Sequence, residues 1–505
     1  MRSSGQRAAA WACAVLAIAV YGRALGSGFF SDDYTWLGRM AATRLHPLYL
    51  VSIFFRDFNP LLHASFLLDD LVGGGRPGAF HATSLLVHAL CALLIVILCG
   101  RLGARPLVAG AAGLTFAINV RLSEAVIWPA ARGHALAALF VLSALVLLRG
   151  TWRFRIAGAT LCFALALLAK EIAFSPILLT PLFIAGRRRA LDLLPFGLLA
   201  AGFAAFNWVA KPSFHYAVGS AGALVLKLPF LLLRPIGLGD AYDFSPLACL
   251  LVLGLFAGAV LLLRRTVALA GFLWIAVCLA PILPLEKLSS RYLYLLSIGY
   301  AFVLCGAVEW IAARRGLSNL RRAAPALAGG ALALVAATNA ILIQREIADY
   351  ALLAEPYAAC LEELRRPAAD LRPGETLIVA DTSARDAVAR MNRLTFERGT
   401  MVKLIPYRAA AVGGLIRLPD AVNIVRRGRG GWLGAPAAPA EAVPGTTARA
   451  ATAPDAPAAT SRIYVYDGLR TNPLPDLPAV PADRLFLARL ARYPEYRAAE
   501  VAAGP

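Results

Sequence analysis

The sequence predicts a polytopic α-helical membrane protein of about eleven transmembrane helices with a small C-terminal α/β domain. Three observations carry that prediction. Of 505 residues, 59% are hydrophobic and only 16% charged, with a mean hydropathy of +0.66, more apolar surface than a soluble chain can cover. The arginines cluster in short loops between apolar runs, as the positive-inside rule expects. After residue 344 the long apolar runs stop and short alternating ones begin.

The first apolar run, AAAWACAVLAIAVYG, has a basic start like that of a signal peptide. No small-residue cleavage site follows, so it reads as a retained first helix. The predicted spans are 8–25, 80–99, 106–120, 134–149, 155–169, 172–186, 190–210, 246–263, 267–284, 291–312 and 324–343. With this count Arg2 and Arg7, Arg101 and Arg105, Arg149 to Arg155, Arg187 to Arg189, Arg264 and Arg265, and Arg314 to Arg322 all face one side, the cytoplasm. Arginines flank both ends of the run 155–186, which is too long for one helix. A hairpin keeps both ends inside, with Lys170 and Glu171 at its outer turn. The run ALVLKLPFLLLRPIGLGDAYDF, 223–244, reads as an amphipathic or re-entrant element, because counting it as a span would reverse the later arginine loops.

This topology puts a set of charged residues on the outer face. They are Asp32, Asp33, Arg56, Asp57, Glu124, Arg132, Lys170, Glu171, Lys211, His215, Asp240, Asp243, Glu286, Lys287 and Arg291. Outer loops are ordinarily poor in Lys and Arg, so bases retained there next to acids have the makings of a site. The net charge of +20 follows from the inner loops, and no basic stripe with interleaved aromatics points to nucleic acid. Seven of the eight cysteines lie in apolar runs, with no disulfide framework or metal-binding CxxC pair.

In the tail, ETLIVADTS (375–383) and SRIYVYDGL (461–469) read as strands and EPYAACLEELRR (355–366) as a helix. Between the strands, the Ala/Pro-rich segment 434–460 reads as a disordered loop. The expected organisation is thus a transmembrane domain, 1–344, and a small extracytoplasmic domain, 345–505. The tail carries no nucleotide-binding glycine loop and no Ser-His-Asp spacing.

Five stretches, in order, resemble blocks of GT-C-fold glycosyltransferases. They are GFFSDDYTWL; FNPLLHASFLLDDLVGGGRPGAFHATSLLVHAL with His81 and His88; LTFAINVRLSEAVIWPAARGHALAALF with Glu124, Trp128 and Arg132; LLAKEIAFSPILL with Lys170 and Glu171; and LPLEKLSSRYLYLLSIG with Arg291, Tyr292 and Tyr294. Within that group the chain most resembles the membrane part of the tetratricopeptide-associated O-mannosyltransferases and the bacterial relatives of the protein O-mannosyltransferases. It departs from them where Asn59-Pro60 replaces Arg-Pro, with Arg56 close by, where Asn119 to Arg121 replace a His-Pro pair, and in lacking C-terminal repeats.

The resemblance implies an inverting hexosyl- or mannosyltransferase-like enzyme of the plasma membrane. It would move a sugar from a polyprenyl-phosphate-linked donor to a protein, lipid or glycan hydroxyl on the extracytoplasmic face. Such a step needs a carboxylate to take the acceptor proton and cations, or a divalent metal, to stabilise the leaving phosphate; no cofactor is otherwise required. Asp32 or Asp33 would be the base, with Arg56, Glu124, Arg132, Lys170, Glu171, Asp243, Arg291 and Tyr292 binding substrate.

Each residue has a plainer reading. Asp32 and Asp33 would cap the helix that YTWLGRM begins. Lys170 would pair with Glu171, Glu124 with Arg132, and Arg291 would anchor its span at the interface. His81 and His88 share a face and fit a hydrogen-bonded structural role better than a metal site, which would need further ligands. At the level of the whole protein, a multi-pass transporter or flippase for a lipid-linked glycan is the main alternative, and a scaffold displaying its outer domain is a third.

Overall fold

The computed structural model describes residues 4–30, 32–45, 47–51, 58–184, 189–210, 221–236, 245–263, 267–285, 289–313, 329–352 and 354, with strand segments between 376 and 473. Among the described residues, six helices are long and apolar enough to cross a membrane: Ser4–Gly26, Pro77–Arg101, Pro129–Leu148, Leu191–Val209, Ser290–Ile311 and Gly329–Leu352. The chain is a multi-pass membrane protein.

Its contacts divide it into two compact units, residues 1–27 with 51–351 and residues 28–50 with 352–505. The first unit is a helical bundle built mainly from α1 (Ser4–Tyr21), α4 (Pro77–Arg101), α5 (Pro106–Ala117), α7 (Gly133–Leu148), α8 (Arg155–Ala169), α14 (Val267–Leu279) and α15 (Leu293–Ala313). Proline stands in the first turn of α4 and α5, where its fixed φ suits a helix start and no donor is lost. Small residues let the helices approach, as is usual where lipid removes the hydrophobic drive for association. A Cβ on Gly271 of α14 would lie 2.5 Å from the Gly299 carbonyl oxygen of α15. Trp274 locks the same pair by donating to the Leu295 carbonyl at 2.6 Å. In α1, Gln6 donates to the Val96 carbonyl of α4 at 3.1 Å, satisfying a polar group inside the bundle.

Three spans differ from the sequence reading. The run 172–186 is not one helix: its described residues hold the end of the 3₁₀ turn Glu171–Ala173, α9 (Phe174–Ile177) and α10 (Thr180–Phe183). Pro176 and Pro181 each lack the N–H an interior helical position needs. The run 106–120 ends early, where α5 gives way to the segment Val120–Ile127, which contains α6 (Ser123–Ile127), across a 52° bend. The last apolar helix runs from Gly329 to Leu352, later than predicted. Helices Arg155–Ala169, Leu247–Leu263 and Val267–Leu279 are apolar but shorter than a full span. In the run 223–244, helix Ala221–Leu233 stops at the 3₁₀ turn Arg234–Ile236.

A further helix pair, α3 (Pro60–Gly73) and α4, is joined through Gly74, whose φ of 60° is left-handed and whose N–H closes α3 on the Asp70 carbonyl at 2.8 Å. In the second unit, α2 spans Asp32–Leu45. The same unit holds one five-stranded sheet of order β3-β2-β1-β4-β5, with β1 Thr376–Asp381, β2 Val402–Pro406, β3 Asn423–Ile424, β4 Ser461–Tyr466 and β5 Thr471–Pro473. Strands β1 and β4, parallel neighbours, fall within the two stretches that alternation marks. The predicted helix 355–366 and the loop 434–460 lie outside the described residues.

Candidate functional site

Where the bundle's helices break, charged side chains collect. Glu124 sits on α6, just past the bend after α5. Arg291 and Tyr292 belong to the 3₁₀ turn Ser290–Tyr292 that precedes α15, and α6 packs against that turn. The Glu124 carboxylate accepts three contacts from this turn and the residue before it. The Ser289 hydroxyl and the Arg291 backbone N–H (2.9 Å) donate hydrogen bonds, and the Arg291 guanidinium approaches to 3.6 Å. The guanidinium lies 5.1 Å from the centre of the Trp128 ring and 5.8 Å from that of Tyr292, a cation over aromatic faces. It stays 27% exposed.

The neighbouring wall comes from α7 and the end of α8. Lys170 leaves α8 in an extended conformation, and the turn Glu171–Ala173 follows. Lys170 pairs with Glu171 at 3.1 Å, the partner foreseen for it, and both lie where the helix α8 ends. Gly133 makes the approach possible, since a Cβ there would lie 3.1 Å from the Ala169 carbonyl oxygen and 3.9 Å from the Lys170 Cβ. One residue on, His134 is buried and set edge-on to Tyr292, ring centres 5.4 Å apart. Gly133 beside Lys170 and His134 against Tyr292 tie the two walls into one cluster.

Arg234 completes that cluster. It donates to the Ser290 hydroxyl at 3.0 Å and lies over Phe230. With Tyr292, Ser289 and Ile282 it lines a narrow cleft. Asn119, at the bend, holds this turn in place by donating to the Pro235 carbonyl at 2.8 Å.

Arg132 has a different place. Its fully buried guanidinium meets Asp69 at 2.6 Å and donates to the Phe80 carbonyl at 3.0 Å and the Ser65 hydroxyl at 2.8 Å. Glu124 and Arg132 therefore do not pair with each other; each has another partner. Thr83 donates to the second Asp69 oxygen at 2.5 Å. Burial pushes the Asp69 carboxyl above its ordinary range, opposed by the Arg132 charge and the Thr83 bond. His88 is a packing residue as well. Its Nε2 lies 3.0 Å from the Ala117 carbonyl, which can only accept, so Nε2 carries the proton and Nδ1 accepts from the Tyr294 hydroxyl at 2.7 Å.

Asp32 and Asp33 open α2 in the second unit. Asp33 is buried, and its carboxylate accepts the Phe30 N–H at 3.2 Å while its own N–H donates to the Phe30 carbonyl at 3.1 Å. That is the work of an acid in the first turn of a helix. Asp32 is exposed. Arg56 and Asp243 lie outside the described residues, as do Asp57, Lys211, His215, Asp240, Glu286 and Lys287.

Sequence reasoning passed over His134 and Arg234. His134 sits in an apolar run, and Arg234 in the stretch read as an amphipathic or re-entrant element. What marks them is the turn each adjoins, Pro129–Arg132 and Arg234–Ile236, each with a proline breaking the helix.

No protein-family model matches the chain, and no curated protein matches it. Solved structures similar to it include ArnT from Cupriavidus metallidurans, in the apo state and bound to undecaprenyl phosphate. Each is 13% identical with a TM-score of 0.49, over 80% of this chain and 94% of ArnT. The archaeal oligosaccharyltransferase AglB from Archaeoglobus fulgidus, in complex with an inhibitory peptide and a dolichol-phosphate, is also similar. It is 13% identical with a TM-score of 0.45, over 77% of this chain and 63% of AglB.

Proposed function

We propose that this protein is a GT-C-type inverting glycosyltransferase that moves a sugar from a polyprenyl-phosphate-linked donor to an acceptor hydroxyl on the extracytoplasmic face. The observation that carries the reading is the gathering of Arg291, Lys170 and Arg234 at helix breaks of an apolar bundle. A lipid phosphate needs that combination: cations for the head group beside an apolar body for the tail. Arg is suited to a phosphate because its planar fork can donate two bonds at once. The ordered resemblance of five sequence blocks supports the same reaction class.

The reaction is one displacement. The acceptor oxygen forms a bond to the anomeric carbon as the bond from that carbon to the phosphate oxygen breaks. The bonding pair leaves with the lipid phosphate, where the cations stabilise it. The acceptor proton goes to a carboxylate, for which we propose Asp32. Asp33, held by the Phe30 N–H, would position the loop. Glu124 would orient Arg291.

Asp→Asn variants test the assignment in a transfer assay. Asp32→Asn should lower the rate about 10²–10⁴-fold, the usual cost of losing a general base, with the protein still folded. Asp33→Asn should chiefly cost about 0.5–2 kcal/mol of stability. Unchanged transfer by both variants would remove the pair from the chemistry. Sidedness rests on the arginine loops: a cytoplasm-active reporter fused after residue 345 should be silent, and a strong signal would contradict an outer site.

The broken helices favour a second reading, a transporter of lipid-linked glycans, since interrupted helices also build transport sites. Sugar transfer by purified protein without a membrane gradient separates the two.

A further inference from the structure

The strongest unexplained group in the cluster is His134. Its Nδ1 lies 3.3 Å from the Ala131 carbonyl. A carbonyl can only accept, so Nδ1 is the donor and carries the proton. In the neutral ring, the ordinary state of histidine above about pH 6.5, Nε2 is then a bare lone pair. That atom is buried and has no hydrogen-bond partner among the described residues. Buried acceptors are nearly always satisfied, so one left open beside a candidate ligand site points to a ligand that satisfies it.

Its surroundings say which part of a ligand. Lys170 lies beside the preceding residue, Gly133, and Arg291 beside the Tyr292 ring that the imidazole meets, and two such cations are the groups for a phosphate. A neutral lone pair repels a phosphate oxygen, which is also an acceptor, but accepts readily from a hydroxyl. The half-buried Tyr292 ring lies edge-on to the imidazole, with ring centres 5.4 Å apart.

We infer that His134 reads the sugar of the donor, its Nε2 accepting a hydrogen bond from a sugar hydroxyl next to the phosphate held by Lys170 and Arg291. This rests on the reading of the cluster as a lipid-phosphate site. It makes His134 a specificity residue that distinguishes a glycosylated lipid phosphate from a bare one.

The test compares two ligands on purified full-length protein. One is polyprenyl phosphate, and the other is the polyprenyl-phosphate hexose that the wild-type protein binds best. His134→Phe keeps an aromatic ring against Tyr292 and removes the acceptor; His134→Gln restores an acceptor. The expected result is that His134→Phe binds the bare lipid phosphate like wild type but loses about tenfold in affinity for the hexose form, and that His134→Gln recovers part of the loss. The inference is overturned if His134→Phe keeps the full preference for the hexose form, or if it weakens both ligands equally, the mark of a structural role. Failure of the wild-type protein to bind either lipid would overturn the lipid-phosphate reading itself, and the role of His134 with it.

Discussion

Arg132 and Arg291 belong to the same bundle and each meets a carboxylate, yet their surroundings differ. Arg132 has no exposure, a 2.6 Å contact to Asp69 and further bonds to Phe80 and Ser65. Arg291 keeps part of its surface open, and its charge contact to Glu124 is longer, at 3.6 Å. A buried pair of this kind cannot release its cation to a ligand without stranding the acid. The half-open pair can, because Glu124 is also held by the Ser289 hydroxyl and the Arg291 backbone N–H. The difference teaches that a basic residue of this bundle stays open to a ligand only where a helix break leaves it accessible.

The largest effect expected from that contrast is on stability. Arg132→Ala leaves Asp69 charged and uncompensated, and should cost about 3–5 kcal/mol, read as a fall in the thermal midpoint in detergent. Replacing both partners, Arg132→Met with Asp69→Leu, should recover most of it, since apolar pairs of similar volume often match a buried ion pair. If Arg132→Ala is as stable as wild type, the two arginines are not distinct in the way described.

A smaller effect, confined to binding, is expected at the other arginine. Arg291→Ala should fold normally and lose about 1.5–3 kcal/mol of affinity for polyprenyl phosphate, the worth of a charged hydrogen bond. Arg291→Lys should recover only part, because an ammonium lacks the two-pronged geometry. The smallest effect falls on Glu124. Glu124→Gln should change stability by about 1 kcal/mol or less, the range for partly exposed pairs, and weaken polyprenyl phosphate binding less than Arg291→Ala does, because one amide oxygen remains to orient Arg291.

This contrast was only half legible in the sequence. Spans such as Pro77–Arg101 announce themselves, because some 20 apolar residues in a row have few other uses. The breaks do not. Pro176 and Pro181 lie in an apolar run that hydropathy alone reads as one helix, while the structure gives two short turns of helix. Glu124, Lys170 and Arg291 were visible as outer charges, but their partners depend on contacts between distant parts of the chain. Arg132 shared a stretch with Glu124, and only the fold reveals that it belongs to Asp69. His134 carried only an indirect signal, the proline turn Pro129–Arg132 just before it, since a histidine in an apolar run is ordinarily a packing residue like His88.

The most direct test of the central claim is the affinity of the purified protein for polyprenyl phosphate, measured for wild type, Lys170→Ala and Arg291→Ala under one salt condition. The account predicts binding by the wild type and a loss of about tenfold or more in each variant, with thermal midpoints unchanged. Equal affinity in all three would contradict it, because the lipid phosphate would then not be held by the cations at the helix breaks.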